Sequence, residues 1–233
     1  SKQRETFMSK QHIIIGLADA DLLCNGTRHP NLVLMKLAGF LKDNDIDFKL
    51  IIDQNEDITK YKYIYISQIF TYTQLPAFFY NATPSQKHKF RRGGTGSYAN
   101  EPNVNIYRKK RHEDMTQLER DDFLNGYPNH RGGTRTHGID LVRQMPYYHL
   151  YDEFVNRKTI EGVKRKKYKD YQLYSIGFLT RGCMRHCPFC INKLEDKISP
   201  YSELEYFLDE ERDEQGRLIR PYIYLWDDNF LAA

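Results

Sequence analysis

The chain has no long apolar segment and no leader-like start. None of its apolar runs approaches the roughly 20 residues that span a bilayer, and residues 1–10 are polar rather than basic and then apolar. Its 233 residues carry a net charge of only +4 and four cysteines. So small a charge does not define a partner, and four cysteines in a chain this long do not indicate a disulfide framework. The composition predicts a cytoplasmic protein without a membrane segment.

The residues that are present suit a folded protein. Hydrophobic residues make up 40% and charged residues 28% of the chain, which argues against wholesale disorder. Basic residues concentrate at 108–111, which reads RKKR, and between 157 and 169. Such runs usually form solvated loops or helix faces, and binding of nucleic acid or another polyanion is the sharper alternative.

The first third of the chain alternates strand and helix patterns. Short β-branched or aromatic runs predict strands at 12–17, 48–52 and 63–69. Between the first two, apolar residues at spacings of three and four over 34–41 predict a helix, with Pro30 as its first residue. This order predicts a Rossmann-like domain with a parallel sheet over residues 8–100.

Functional groups in a parallel α/β sheet gather at the carboxyl ends of the strands. Asp19, Asp21 and residues 67–71 follow predicted strands and are expected at that edge. They could contact a ligand, although helix capping and turn formation explain the two aspartates equally well.

The periodic pattern fades from about residue 76 to residue 145. Two similar glycine-rich stretches, 93–96 and 132–134, each follow an arginine. Glycine-rich backbone can approach a phosphate or a ring closely, but a turn is its commoner use. Residues 101–170 are interpreted as a basic insertion and linker.

Regular patterning returns in the last third, 171–233. Residues 172–179 predict a strand that leads directly toward Cys183, and residues 203–211 predict a helix with Ser202 as its cap. A turn at 213–216 and a strand at 222–226 follow. The order predicts a second strand–helix–strand unit, with cysteines after its first strand and acidic residues after its second.

Cys183, Cys187 and Cys190 are separated by three and two residues. A cubane iron–sulfur cluster needs several converging thiolates, and such short spacings let one loop supply three of them. Three thiolates on a four-iron cube leave one iron open to a small molecule. Arg181 and Arg185 would favour the thiolate form and offset the negative charge of the cluster.

The sequence RGCMRHCPFC at 181–190 resembles the CxxxCxxC signature of the radical S-adenosylmethionine (SAM) superfamily, with Phe189 at its aromatic position. ISPYSELEYFLDEE at 198–211 resembles the helix after that loop. YLWDDNF at 224–230 resembles the end of the second barrel strand in relatives that carry a cobalamin-binding type domain in front. The N-terminal half, with GTRHPNLVLMKLAGFLK at 26–42, is similar to the degenerate cobalamin-binding-like domain of certain bacterial and phage radical proteins.

This resemblance implies that 171–233 forms the first β-α-β part of a radical-SAM partial (β/α)6 barrel. The implied ligands of a [4Fe–4S] cluster are Cys183, Cys187 and Cys190. Phe189 would lie near the adenine of SAM. The residues that would approach the methionine end of SAM are Asp227, Asp228 and Asn229. The implied reaction is reductive cleavage of SAM to a 5′-deoxyadenosyl radical that acts on an unknown substrate, with flavodoxin or ferredoxin as electron donor.

Two features depart from the family pattern. The cobalamin signature Asp-x-His-x-x-Gly is replaced after the third strand by Ser67-Gln-Ile-Phe-Thr-Tyr, so without the histidine ligand no cobalamin is expected in the usual base-off manner. The chain also stops at Ala233, soon after the second strand of what the resemblance expects to be a six-stranded barrel. The expectation is therefore a truncated barrel whose remaining strands come from a longer chain or from a partner.

Two rival interpretations stay open. A Cys3His zinc site could in principle use Cys183, His186, Cys187 and Cys190, although the adjacent His186 and Cys187 cannot easily bind one small ion together. Zinc would make the chain a binding module whose basic runs contact nucleic acid. Alternatively, the chain is a non-catalytic radical-SAM relative that acts as an interaction protein. Iron content separates zinc from the other two, and SAM cleavage separates an enzyme from a non-catalytic relative. Cys24 stands alone and fits a small buried hydrophobe.

Overall fold

The computed structural model describes residues 14–99, 135–136, 139–185, 187 and 197–227. Its largest sheet has four parallel strands in the order β2-β1-β3-β4. These strands are β1 (Ile14–Asp19), β2 (Asp47–Ile51), β3 (Tyr61–Ser67) and β4 (Phe90–Gly93). The mixed α/β architecture with this sheet is consistent with the predicted Rossmann-like domain. The first three strands are confirmed to within two residues, and residues 12 and 13 lie outside the described residues.

Helices connect and flank these strands. The α-helices are α1 (Ala20–Asn25), α2 (Leu32–Asp43), α3 (Ala77–Tyr80), α4 (Thr95–Ala99), α5 (Asp152–Ile160) and α6 (Lys169–Gln172). Within the described residues, no helix combines the length and the apolar character that a membrane crossing requires.

Helix α2 buries the apolar stripe that predicted it. Leu34, Leu37, Ala38 and Leu41 are each at most 4% exposed. The prediction that Pro30 is its first residue is wrong, because the side chain of Asn31 accepts a hydrogen bond from the Leu34 N–H at 3.2 Å and caps the helix. An asparagine oxygen satisfies one of the N–H groups that a helix start leaves unpaired, so the helix begins one residue after Asn31.

The hydrophobic core lies on both faces of the four-stranded sheet. On one face, Leu17 packs with α2 and with aromatic residues of the segment 148–171, among them Tyr151 and Phe154. On the other face, Ile64 and Ile66 pack with residues that include Phe78 of α3. Residues 148–168 of this segment thus contribute to the core of the N-terminal sheet, although the sequence pattern assigned 101–170 to an insertion and linker, and Tyr171 joins them from the region assigned to the last domain. The domain boundaries at residues 100 and 170 stay a prediction.

The glycine-rich stretch at 93–96 connects β4 to α4. Gly94 has a φ of +91°, and a Cβ atom there would lie only 2.3 Å from the Gln68 carbonyl oxygen. The Gly96 N–H donates to that same oxygen at 2.9 Å. The commoner use of such a stretch, a turn, accounts for it. The similar stretch at 132–134 lies outside the described residues.

A second parallel pair lies in the C-terminal part of the chain. Strand β7 (Tyr174–Gly177) pairs with β10 (Tyr222–Leu225), as the patterns at 172–179 and 222–226 predict. Short antiparallel pairs join β5 (Arg135–Thr136) to β6 (Ile139–Asp140) and β8 (Thr180–Arg181) to β9 (Ser199–Pro200). One parallel pair is common to every parallel α/β architecture, so the barrel stays a prediction. The predicted turn at 213–216 is confirmed by the Gly216 N–H, which donates to the Asp213 carbonyl at 2.9 Å.

The predicted helix at 203–211 is wrong. The structure has only a 3-10 turn at Leu204–Tyr206. Phe207, which follows it, is fully buried and packs directly on Gly177, since a Cβ atom at Gly177 would lie 2.3 Å from the Phe207 ring. The Phe207 carbonyl accepts from the Tyr148 hydroxyl at 2.6 Å, and the Asp209 N–H donates to Ser175 Oγ at 3.0 Å. These tertiary hydrogen bonds replace those that would have continued the helix.

Polar residues gather at the carboxyl edge of the four-stranded sheet, as predicted. Asp19 and Ser67 are register partners at the ends of β1 and β3, where the strand order reverses. Asp21 accepts from the Ile69 N–H at 2.7 Å, the Phe70 N–H at 3.2 Å and the Thr73 hydroxyl at 2.5 Å. The described contacts of this carboxylate are internal, so Asp21 holds the loop after β3.

Asp19 is buried, with 1% of the residue exposed, and its carboxyl group has two described hydrogen-bond donors. It accepts from the Leu22 N–H at 3.1 Å and from the Tyr151 hydroxyl at 2.9 Å. The Tyr151 hydroxyl in turn accepts from the Asn31 N–H at 3.0 Å. Burial raises the pKa of Asp19 to about 7, and these two hydrogen bonds oppose the effect without cancelling it.

The raised pKa of Asp19 predicts that the protein loses stability as the pH rises. The stabilising contribution of the protonated carboxyl is complete below its pKa in the unfolded chain and is lost as the pH rises through about 7. In urea titrations, the unfolding free energy of the wild type should fall by roughly 2–3 kcal/mol between about pH 5 and pH 8 because of Asp19. The variant Asp19→Asn should not show this fall. The exposed Asp53, which accepts from the Asn55 N–H at 2.8 Å, provides the control variant Asp53→Asn. A wild-type pH slope that survives in Asp19→Asn would contradict the prediction.

Candidate metal centre

Two of the three predicted cluster ligands lie in the described part of the chain. Cys183 and Cys187 are both partly exposed thiols. Cys190, Phe189, His186, Asp228 and Asn229 lie outside the described residues. Among the described residues, no group of three His, Cys, Asp or Glu side chains is placed to hold a metal ion. Because Cys190 is not among them, the three-cysteine site stays a prediction.

The cysteines follow a parallel strand at its carboxyl end. Strand β7 ends at Gly177, and the chain passes through β8 before it reaches Cys183. Gly182, which is buried, has a φ of +99°, a conformation that residues with a side chain rarely adopt. The backbone thus turns sharply directly before the first cysteine.

The two ends of the cysteine loop, residues 182–198, are held together by a short ladder. Thr180 pairs with Pro200 and Arg181 pairs with Ser199 in antiparallel fashion. The Tyr201 N–H also donates to the Leu179 carbonyl at 2.8 Å. The ladder thus brings together the two ends of the stretch that carries all three cysteines.

Asp227 anchors the entry to this loop. Its carboxylate accepts from the Leu179 N–H at 3.2 Å, from the Thr180 hydroxyl at 2.5 Å and from the Thr180 N–H. The preceding residue, Trp226, donates its N–H to the Gly177 carbonyl at 2.9 Å. Asp227 was predicted to approach SAM, and its described contacts instead connect the end of β10 to the start of the cysteine loop. A direct contact of Asp227 with SAM stays a prediction.

Arg181 lies against an aromatic cluster formed by Phe178, Tyr201 and Trp226. Its guanidinium carbon is 4.4 Å from the centroid of the Phe178 ring and 5.6 Å from that of Tyr201. The Phe178 ring also meets Trp226 edge-on at 6.2 Å. The Nε atom of Arg181 is buried and has no hydrogen-bond acceptor among the described residues. A buried donor without a partner is unusual in a folded protein, and the described residues do not supply the acceptor that Arg181 Nε–H requires.

A histidine from the N-terminal part lies close to the end of β10. The His29 ring contacts Tyr224 at 5.6 Å and Trp226 at 5.9 Å, both edge-on. Its Nδ1 atom is 2.8 Å from Oδ2 of Asp170, whose side chain is 2% exposed. Nothing in the local sequence pairs His29 with Asp170, because these residues lie far apart along the chain.

Several side chains of the basic run at 157–169 have partners within the protein. Arg157 donates to the Ile52 carbonyl at 2.8 Å, and Lys158 pairs with Glu161 at 2.6 Å. Arg165 donates to the Gln172 side chain at 3.0 Å. These contacts are those of a solvated helix face, and binding of nucleic acid stays a prediction. The run at 108–111 lies outside the described residues.

No family model, curated protein or solved structure matches this chain. The spacing of the three cysteines and the geometry at the base of their loop are therefore the observations on which a function can be based.

Removing the Asp227 carboxylate should loosen the start of the cysteine loop. Asp227→Ala leaves the N–H groups of Leu179 and Thr180 without their acceptor, which should lower the unfolding free energy by roughly 1–3 kcal/mol. Hydrogen exchange should accelerate at these two amides and at Cys183. The control is Asp213→Ala, since Asp213 also accepts two backbone N–H groups, from Gln215 at 3.0 Å and Arg217 at 2.9 Å, in a distant turn. Equal exchange at 179–183 in both variants would show that Asp227 does not anchor the loop.

Proposed function

We propose that this chain binds a [4Fe–4S] cluster and belongs to a radical SAM enzyme, either as the enzyme or as its N-terminal part. The observation that carries the proposal is the spacing of Cys183, Cys187 and Cys190 on one loop after a parallel strand. Parallel α/β sheets place reactive groups at the carboxyl ends of their strands, which is where β7 delivers this loop. The closed base of the loop supports the proposal, because a cluster requires ligands that converge.

The residues present fit an iron–sulfur cluster. Three thiolates are soft ligands that suit iron and leave one iron of a four-iron cube without a protein ligand. A cluster held by thiolates is negatively charged, and Arg181 offers a positive charge with an unsatisfied N–H at the start of the loop. The aromatic cluster of Phe178, Tyr201 and Trp226 adds an apolar wall beside the loop.

The cluster and SAM together would supply electron transfer into the sulfonium, which gives methionine and a 5′-deoxyadenosyl radical. The three cysteines would hold the iron, while Asp227 and the β8–β9 ladder keep their loop in shape. Phe189 would contact the adenine, and Asp227, Asp228 and Asn229 would approach the methionine end. A flavodoxin or ferredoxin would deliver the electron. The proposal includes no cobalamin, since Ser67 and the residues after it offer no histidine ligand, and the substrate is left open.

Anaerobic reconstitution with iron and sulfide tests the proposal. The protein should take up roughly four irons per chain and, once reduced, show an electron paramagnetic resonance (EPR) signal that added SAM shifts. Cys187→Ala should lose most of the iron, because two thiolates hold a cube poorly. The matched control is Cys24→Ala. This variant should keep its iron, since Cys24 lies in α1, in the N-terminal part of the fold.

The remaining outcomes separate the rival interpretations. Stoichiometric zinc without iron would overturn the proposal and favour a nucleic-acid-binding module. Iron with a normal signal that SAM does not shift would retain the cluster and favour a non-catalytic relative that acts as an interaction protein.

A further inference from the structure

We propose that Arg181 is a positioning residue for this cluster: held on two aromatic rings at the start of the cysteine loop, it provides a fixed cation and a buried N–H donor that make the cluster easier to reduce. This inference rests on the proposed function, because it presupposes that the cluster is bound. Neither the cysteine motif nor the SAM chemistry requires an arginine at this position.

The guanidinium of Arg181 is held in place from several sides. Its backbone belongs to the β8–β9 ladder opposite Ser199. Its guanidinium carbon lies 4.4 Å from the Phe178 ring centroid and 5.6 Å from that of Tyr201. Contact with aromatic rings favours a cation and removes part of its hydration. The charge is therefore fixed beside the loop and shielded from water on the side of these rings.

Arg181 is close to the first cysteine by covalent geometry alone. Two residues of extended chain span at most about 7 Å between Cα atoms, so the Cα atoms of Arg181 and Cys183 cannot lie farther apart than that. This bound concerns the two backbones, and it is comparable with the screening length of about 8 Å at physiological salt, so salt screens a charge carried by Arg181 only in part. A partly desolvated charge at such a distance acts on its neighbours more strongly than a charge in water.

The buried Nε–H of Arg181 needs an acceptor. Among the described residues it has none, and a buried donor without a partner costs roughly 1–3 kcal/mol. A sulfide or thiolate sulfur of a cluster is an acceptor of the right charge. Hydrogen bonds to the sulfurs and nearby charge are two of the factors that set the reduction potential of an iron–sulfur cluster.

Arg185 provides the comparison that separates a fixed cation from charge alone. Arg185 lies between two of the cysteines, two residues after Cys183 and two residues before Cys187, but its side chain is exposed. Water and salt screen an exposed charge. If charge alone mattered, both arginines would act on the cluster equally. If burial and fixation matter, Arg181 acts far more strongly than Arg185.

The electron transfer involved is a one-electron reduction. Dithionite or another low-potential donor is oxidised and gives one electron to the cluster, which becomes more negative by one charge. No bond forms or breaks at Arg181, and its proton stays in place. A fixed cation and a hydrogen bond stabilise the more negative state, so their removal should lower the reduction potential.

The experiment is a redox titration of the reconstituted full chain, followed by the EPR signal of the reduced cluster. At a fixed potential near the wild-type midpoint, Arg181→Gln should lower the ratio of reduced to oxidised cluster about tenfold, which for one electron corresponds to about 59 mV. Arg185→Gln should change that ratio less than about twofold. Arg181→Lys keeps the charge without the planar fork of donors and should fall between wild type and Arg181→Gln.

Equal shifts in Arg181→Gln and Arg185→Gln, or no shift in either, would overturn the inference while leaving the proposed function intact. A wild-type chain that binds no iron would instead overturn the proposed function. The midpoint is measured on the loaded fraction, so partial iron loss in Arg181→Gln leaves the readout usable. Should that variant hold no cluster at all, Arg181→Lys decides, and a wild-type midpoint in this variant counts against the role of the Nε–H donor.

Discussion

Backbone N–H groups in a loop that follows a buried parallel strand need acceptors that the sheet does not provide, and an aspartate meets this need twice in this protein. Asp21 accepts from two N–H groups and a threonine hydroxyl in the loop after β3. Asp227 accepts from two N–H groups and the Thr180 hydroxyl in the connection after β7. In both cases the aspartate lies two residues after the end of the neighbouring strand, β1 or β10. An unsatisfied buried N–H is costly, so each aspartate fixes the course of its loop.

The four-stranded sheet and the β7–β10 pair are joined through Tyr148, which lies between them in the sequence. Tyr148 belongs to the core of the N-terminal sheet, yet its hydroxyl donates to the Phe207 carbonyl and accepts from the Ile176 N–H of β7 at 2.9 Å. Arg220, which is 3% exposed, donates to the Tyr148 carbonyl at 3.2 Å and lies 4.8 Å from its ring. Strand β7, and through it the start of the cysteine loop, is therefore supported by the packed N-terminal part.

This support matters for the proposed chemistry because a cluster needs converging ligands and a surrounding that sets its potential. Two kinds of interaction meet at the base of the loop. The Asp227 hydrogen bonds and the β8–β9 ladder fix the backbone, while Phe178 and Tyr201 fix the charge of Arg181. The backbone at the base of the loop and the position of the Arg181 charge thus depend on neighbouring residues rather than on the cysteines themselves.

The local sequence was sufficient where a short-range pattern decides the structure. Helix α2 and strands β1 to β3 follow from periodicity and β-branched content, since these elements bury apolar residues. The β7–β10 pair follows from its β-branched and aromatic content, although β10 is largely exposed. The spacing of the cysteines is likewise fully local. Strand β4 (Phe90–Gly93) was missed, because its short run carries two arginines and has no alternating pattern.

Other features were decided by tertiary contacts between distant residues. The periodicity at 203–211 is helical, but burial of Phe207 against Gly177 and the hydrogen bond from Tyr148 give an irregular segment instead. The sequence pattern marks Asp227 as a residue near SAM, and its role as a loop anchor appears only because β10 lies beside β7. The sequence by itself determined the spacing of the three cysteines on which the metal proposal is based. Only the tertiary structure decided which backbone groups, rings and charges surround them, because those partners come from segments that folding brings together.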